Sequence, residues 1–363
     1  MKAITLGLKH APAWDNVSSL TIGFTPYMER RGYWNAWNMV LQSAIASAKK
    51  QGDIERQITL TALLARLYQR QSQPKQTIYY YRKSIKLARQ MGNRFEEARA
   101  CSNLGFLFSD EGHWWRSEVL SQHALAIFEE LDSDHGRAHT HNHLGVLYTR
   151  LNLWPEAERH LEIACSKWIA MNDDHSLIYG FENLGLLYCE MELPKKAVQY
   201  LDRALLQIDR TGETVELGII WMNLGVAYKQ LGNLTKSEEF LLKAEGLFKE
   251  FTNSRRLAEI SSNLGTIYLL QHDWIKADQY LRDALQMHRV LGDRIGEIQV
   301  ITILIEYEFA LGNRTKANSL LNRIGLLVKN LNNIEQSHYW QKRIKKLRHY
   351  YSEQCAKELD EVF

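Results

Sequence analysis

Apolar residues recur at three- and four-residue spacing along most of the chain. Phe181, Leu184 and Tyr188 are one such stripe, and it predicts a helix buried along one side. After the break Glu190-Met191-Glu192-Leu193-Pro194, a second stripe of Ala197, Leu201 and Ala204 predicts another helix. Pro194 can open that helix because its missing N–H has no partner there in any case. Pro74 and Pro155 take the same place elsewhere, while other breaks carry Gly32, Gly112, Gly232 or Gly312. The predicted unit is a helical hairpin.

The unit repeats. Asn103-Leu104-Gly105, Asn183-Leu184-Gly185, Asn223-Leu224-Gly225 and Asn263-Leu264-Gly265, with His143-Leu144-Gly145 between them, place glycines at steps of 40. An aromatic follows each glycine at Phe108, Tyr148, Tyr188, Tyr228 and Tyr268, and small residues recur at Ser117, Ala157, Ala197, Ser237 and Ala277. Looser copies extend the register backward through Leu64, Tyr68 and Trp37, and forward through Leu304, Ala317 and Ile324. This predicts eight copies over residues 18–332, with residues 1–17 as an N-terminal arm and 333–363 as a C-terminal capping helix. Neither helix of a hairpin buries its stripe alone, so the expected fold is all-α: a right-handed superhelical solenoid of stacked hairpins.

Composition agrees with a folded chain. Of 363 residues 45% are apolar, and 45 Lys plus Arg face 42 Asp plus Glu for a net charge of +3, so partners must be chosen by local patches. No apolar run is long enough to span a membrane, and the first residues lack an export signal, which points to the cytoplasm. Cys101, Cys165, Cys189 and Cys355 are widely spaced, as reduced thiols are.

The pattern resembles the tetratricopeptide repeat. Trp221, Leu224-Gly225, Tyr228, Ser237, Leu241 and Ala244 match its signature nearly in full, as do Phe181, Leu184-Gly185, Tyr188, Ala197, Leu201 and Ala204. The period departs from the ordinary 34-residue unit. The long form is similar to repeats in the sensor arms of bacterial signal-transducing ATPases and transcription activators, in peptide-sensing regulators and in cell-division scaffolds. The resemblance implies a module that binds peptides, proteins or small inducers.

Chemistry is sparse. No phosphate loop, dinucleotide fingerprint, zinc-binding His-Glu-x-x-His or nucleophile elbow is present, so neither an enzyme nor a cofactor is expected. His139 and His143 share a helix face at a spacing compatible with a metal, but no acidic or cysteine ligand is placed beside them. Together with His135 and His141 they read as core or surface histidines, and no metal is expected. Trp34, Trp114, Trp154 and Trp274 begin second helices and read as packing at the turn edge. In the last helix Tyr339, Ile344, Leu347 and Tyr351 mark an apolar stripe beside Lys342, Arg343, Lys345, Lys346 and Arg348, a charged cap surface.

The first helix of each hairpin leaves one side facing the inside of the array. Asn103, Asn183, Asn223 and Asn263 fall there, with His143 breaking the row. Asn is a mediocre helix former, and its amide can either grip the main chain of an extended peptide or bond the neighbouring hairpin. In scaffold relatives, asparagines of this register bind target main chain, which the resemblance carries to these four. Arg30, Arg66, Arg70, Arg99 and Arg150 against Glu29 and Asp110 make the inner positions of the first half basic. Glu182, Glu190, Glu259 and Glu306 against Lys229 make those of the second half acidic. The expected partner is therefore a protein or peptide segment with an acidic portion. A regulatory sensor that changes curvature, and RNA or nucleotide binding by the Arg-lined half, are the alternatives, with nucleic acid disfavoured by the near-neutral charge. Oligomeric state is not legible.

Overall fold

The computed structural model describes residues 2–211, 214–250, 254–331 and 334–360. The side chains of Arg30, Tyr351 and Cys355 lie outside those described. A short helix α1 (Lys2–Gly7) and a single 3-10 turn (Ala11–Ala13) precede α2 (Trp14–Arg30) and α3 (Trp34–Gln51). Next come α4 (Ile54–Arg70), α5 (Pro74–Met91), α6 (Arg94–Asp110), α7 (Trp114–Glu130), α8 (Asp134–Arg150) and α9 (Trp154–Ala170). They are followed by α10 (Asp174–Glu190), α11 (Pro194–Thr211), α12 (Thr214–Gln230), α13 (Leu234–Glu250), α14 (Ser254–Leu270) and α15 (Trp274–Leu291). The last are α16 (Arg294–Ala310), α17 (Arg314–Lys329) and α18 (Ile334–Asp360). No strand occurs among the described residues.

The chain divides into two compact units, Met1–Asn223 and Leu224–Phe363. Within each, antiparallel hairpins stack in series as a right-handed solenoid. Beneath the 40-residue hairpin lies a 20-residue beat. Gly32, Gly52, Ser72, Gly92, Gly112, Asp132, Asn152, Asn172 and Glu192 in the first unit all take positive φ, as do Gly232, His272, Gly292 and Gly312 in the second. Each left-handed residue ends a helix so that the next N–H can reach back, as Leu193 does to the Tyr188 carbonyl at 2.8 Å. At Gly52, with φ of 71°, no Cβ penalty arises. Asp53, Asn93, Ser133, Asp173 and Asp293 then cap the following first helices by accepting an N–H three residues on.

Close approach within a hairpin depends on glycine. A Cβ on Gly145, Gly185, Gly225 or Gly265 would stand 2.5–2.6 Å from Leu161, Leu201, Leu241 or Leu281 respectively. Beside this contact, rings face one another across most hairpins, stacked except at the tilted Tyr148–His160 pair. Tyr68 meets Tyr80, Tyr148 meets His160, Tyr188 meets Tyr200, Tyr228 meets Phe240 and Tyr268 meets Tyr280, at centroid distances of 5.3–5.5 Å. Between hairpins a phenol braces the preceding second helix: Tyr148 donates to Glu118, Tyr188 to Glu158 and Tyr268 to Glu238.

The ends differ from expectation in detail. Helix α2 begins at Trp14 rather than at 18, and the arm before it packs Leu8 into the first core with Trp14 and Trp37. On α18 Ile344 is buried and Leu347 half-buried, as expected, but Trp340 is the buried aromatic in place of Tyr339, which is exposed. Trp34, Trp114, Trp154 and Trp274 are half-buried at the starts of second helices, in keeping with packing.

Candidate functional site

The inner side of the first unit is built from the first helices α2, α4, α6, α8, α10 and α12. The described arginines of the expected set, Arg66, Arg70, Arg99 and Arg150, each have a carboxylate partner. Arg66 on α4 lies 3.0 Å from Glu29 on α2, and Arg99 lies 2.6 Å from Glu96 one helical turn before it. Arg150 on α8 pairs with Asp110 on α6. Arg70, at the end of α4, reaches Glu216 on α12 at 3.4 Å and the Tyr179 hydroxyl on α10 at 3.4 Å, while Tyr179 donates to the same Glu216 oxygen at 3.0 Å. The Glu216 side chain is 1% exposed and that of Arg70 33%. Burial disfavours the Arg70 charge, but Tyr179 and the carboxylates of Glu216 and Glu29 outweigh it and hold its pKa above the ordinary value. The basic surplus expected for this half is thus largely neutralised, because Glu96 and Glu216 also face inward.

The asparagine row divides. Asn183 on α10 donates to the Asn142 amide oxygen on α8 at 2.9 Å, which is the interhairpin bond. Asn223 is buried at 6% exposure, and Asn103 is half-buried. His143 bonds Ser102 of the preceding hairpin at 2.9 Å and lies against Phe106, with ring centroids 4.7 Å apart. Burial pushes its pKa down to about 4. Glu182 is half-buried and Glu190 exposed on α10. In the second unit, Asn263 turns its amide back onto the Glu259 carbonyl of its own helix at 3.1 Å. Glu259 also pairs with Arg256 at 2.7 Å, and burial raises the pKa of Glu306, with Lys229 and Arg343 opposing.

The histidines acquire an acidic neighbour that the spacing did not reveal. Asp173, the cap of α10, lies 3.7 Å from His135, and ligating atoms of His135, His139 and Asp173 fall within 4.8 Å of one another. His139 packs edge-on to Trp168 at 5.2 Å, and burial together with the charge of His135 pushes it down to about 3. His141 and His160 bond through their Nδ1 atoms at 2.8 Å, and Arg159 approaches His160 Nε2 at 3.0 Å. A guanidinium only donates, so His160 accepts at Nε2 and donates from Nδ1 to His141. This relay requires neutral imidazoles, and burial lowers both pKa values to about 4. The thiols are equally quiet: burial pushes Cys101 up to about 11 and Cys165 up to about 12.

Residues 176–250 and 216–289, covering α10 to α15, match the tetratricopeptide repeat family. Over this span the chain carries tetratricopeptide repeats. No curated protein matches it. Among solved structures, it resembles a Rap protein complexed with competence and sporulation factor, at 12% identity and a TM-score of 0.62 over 93% of this chain and 99% of that one. It also resembles NprR in complex with its cognate peptide NprX, at 16% identity and a TM-score of 0.53 over 69% and 74% of the two chains. A third likeness is to a signal transduction ATPase with a tetratricopeptide repeat sensor from Pyrococcus horikoshii, at 14% identity and a TM-score of 0.57 over 89% of this chain and 49% of that one. The chain spans about half the length of that ATPase. At these identities the likeness is one of fold.

Within the repeat frame the missed partners have a signal. Tyr179 stands two repeats after Arg99 and one after His139, on the inward line near the helix start, and Glu216 stands three repeats after Glu96. No described helix is long and apolar enough to cross a membrane.

Proposed function

We propose that this tetratricopeptide-repeat protein is a noncatalytic scaffold that binds an extended peptide segment along the inner side of its first helices. The observation that carries this is the Arg70–Glu216–Tyr179 cluster. It gathers a partly accessible guanidinium, a buried carboxylate and a phenol from α4, α12 and α10 on one inner surface. A carboxylate of the peptide meets the solvent-facing edge of Arg70, whose guanidinium has donors beyond those aimed at Glu216 and Tyr179, while Glu216 keeps its partner. Arg66 and Arg150, each paired with a carboxylate and partly exposed, are further contact points along the surface. Rap protein and NprR, which share the fold, have both been seen with bound factors. The array is already folded, so mostly the peptide loses freedom on binding. We place this activity in the cytoplasm.

Selection of a random peptide library on the full chain tests the reading. Recovered peptides should be enriched in Asp and Glu, and their binding should weaken as salt rises. Recovery of basic or purely apolar peptides would overturn it.

One observation favours a sensor role for the same surface. Because Arg70 joins helices distant in sequence, a ligand carboxylate that shares its guanidinium with Glu216 alters the contact between them and changes the curvature of the first unit.

A further inference from the structure

Second helices α5 and α7 leave a cavity of about 550 Å³ between them, floored by α6. Its cause lies in two small residues. Leu120 stands where other repeats carry Tyr80, His160, Tyr200, Phe240 and Tyr280, so Phe108 lacks the ring from the second helix that Tyr68, Tyr148, Tyr188, Tyr228 and Tyr268 each face. Cys101 stands where the next two repeats carry His141 and Phe181. There the rings themselves close the gap, His141 against His160 at 5.0 Å and Phe181 against Tyr200 at 6.2 Å. Between α5 and α7 nothing comparable fills the space.

The lining is that of an amphiphile site. Ile85, Leu104 and Phe108 form a buried apolar floor. Trp115 and Val119 on the wall are 67% and 47% exposed, large apolar surfaces that a ligand would cover. Arg82, Lys86 and Arg116 stand at the rim and make no ion pair among the described residues, Arg116 lying over the Phe108 ring at 5.9 Å, whereas Arg89 is held by Glu97 at 2.8 Å. One repeat on, Gln122 and Ala126 stand in place of Arg82 and Lys86, so these two cations go with the unfilled gap, whereas the position of Arg116 is basic again at Lys196, Lys236 and Lys276. The volume lies within the range that holds small-molecule ligands.

We propose that this cavity binds a single-chain acyl carboxylate, with the chain on Ile85, Leu104, Phe108 and Trp115 and the headgroup among Arg82, Lys86 and Arg116. Charge complementarity selects the anion, and the missing Leu120 ring makes room for the chain. The site is separate from the inner peptide surface and does not depend on it.

Titration of the full chain with decanoate, followed by calorimetry and tryptophan fluorescence, tests the proposal, with 1-decanol as the uncharged probe. Decanoate should bind, and 1-decanol should bind about tenfold more weakly. Leu120→Tyr, which restores the ring of the other repeats, should weaken decanoate by at least about tenfold while leaving the melting temperature the same or higher. Arg82→Glu with Lys86→Glu, at exposed positions that folding does not need, should weaken decanoate similarly and leave 1-decanol within about twofold. Trp115→Phe should diminish the fluorescence response. Absence of decanoate binding, equal binding of the alcohol, indifference to both variants, or an acidic aromatic peptide displacing decanoate as the tighter occupant would overturn it.

Discussion

Arg70 and Glu216 are 146 positions apart in the sequence and 3.4 Å apart in space. Within the first unit this pair ties α4 to α12, and Tyr179 completes it from α10. Its two members are unequal, since the carboxylate is buried and the guanidinium keeps a third of its surface in solvent.

That asymmetry predicts unequal mutational effects. Arg70→Met strands a buried carboxylate and should destabilise the first unit by about 3 kcal/mol, toward the lower end for a broken buried pair. Glu216→Gln leaves a cation that can turn to water and should cost less than about half of that. Chemical denaturation of the two variants checks the order, and a larger loss for Glu216→Gln would contradict it.

The His141–His160 relay predicts an acid-sensitive stability. Both imidazoles titrate near 6.5 when unfolded and at about 4 when folded, so the unfolded chain binds protons first as pH falls. The stabilisation is complete above about pH 6.5 and is lost progressively down to about pH 4, at up to about 1.4 kcal/mol per pH unit for each histidine. Replacing the pair by the rings of the next repeat, as His141→Phe with His160→Tyr, should reduce the fall in melting temperature between pH 7 and 4.5, the remainder coming in part from His139 and His143. An unchanged profile would remove the relay from the account.

Two kinds of glycine are separable. Gly185 has no room for a methyl group beside Leu201, and Gly185→Ala should cost about 1–3 kcal/mol. At the turns the limit is conformational instead. Glu192 takes φ of 56° where equivalent turns use glycine, so Glu192→Gly should stabilise by up to about 1 kcal/mol. Thermal melts distinguish the two, and a destabilised Glu192→Gly would contradict the argument from strain.

The hairpins were legible in the sequence because Leu-Gly-Tyr and the paired small residues recur in one register. The 20-residue beat of the turns was not, since Ser72, Asp132, Asn152, Glu192 and His272 fill a left-handed site that glycine fills elsewhere. Inward placement of Arg66, Arg70, Arg99 and Arg150 could be counted from helix phase. Their pairing could not, because the position of Glu216 opposite Arg70 depends on how successive hairpins rotate, which no local spacing encodes. Asn183 likewise found a partner, Asn142, at an inward position beside the row rather than in it. On α18, burial of Trp340 in place of Tyr339 reflects docking on α17, which sets the helix phase to within one residue.

The proposed binding of an acidic peptide along the inner first-helix surface turns on the solvent-facing edge of Arg70. Calorimetric titration of one library-selected acidic peptide into the parent chain, Arg70→Glu and Lys316→Glu tests it most directly, Lys316 being exposed on a second helix. Affinity should fall by at least about tenfold for Arg70→Glu and stay within about twofold for Lys316→Glu. Equal losses in the two variants, or none in Arg70→Glu, would contradict it.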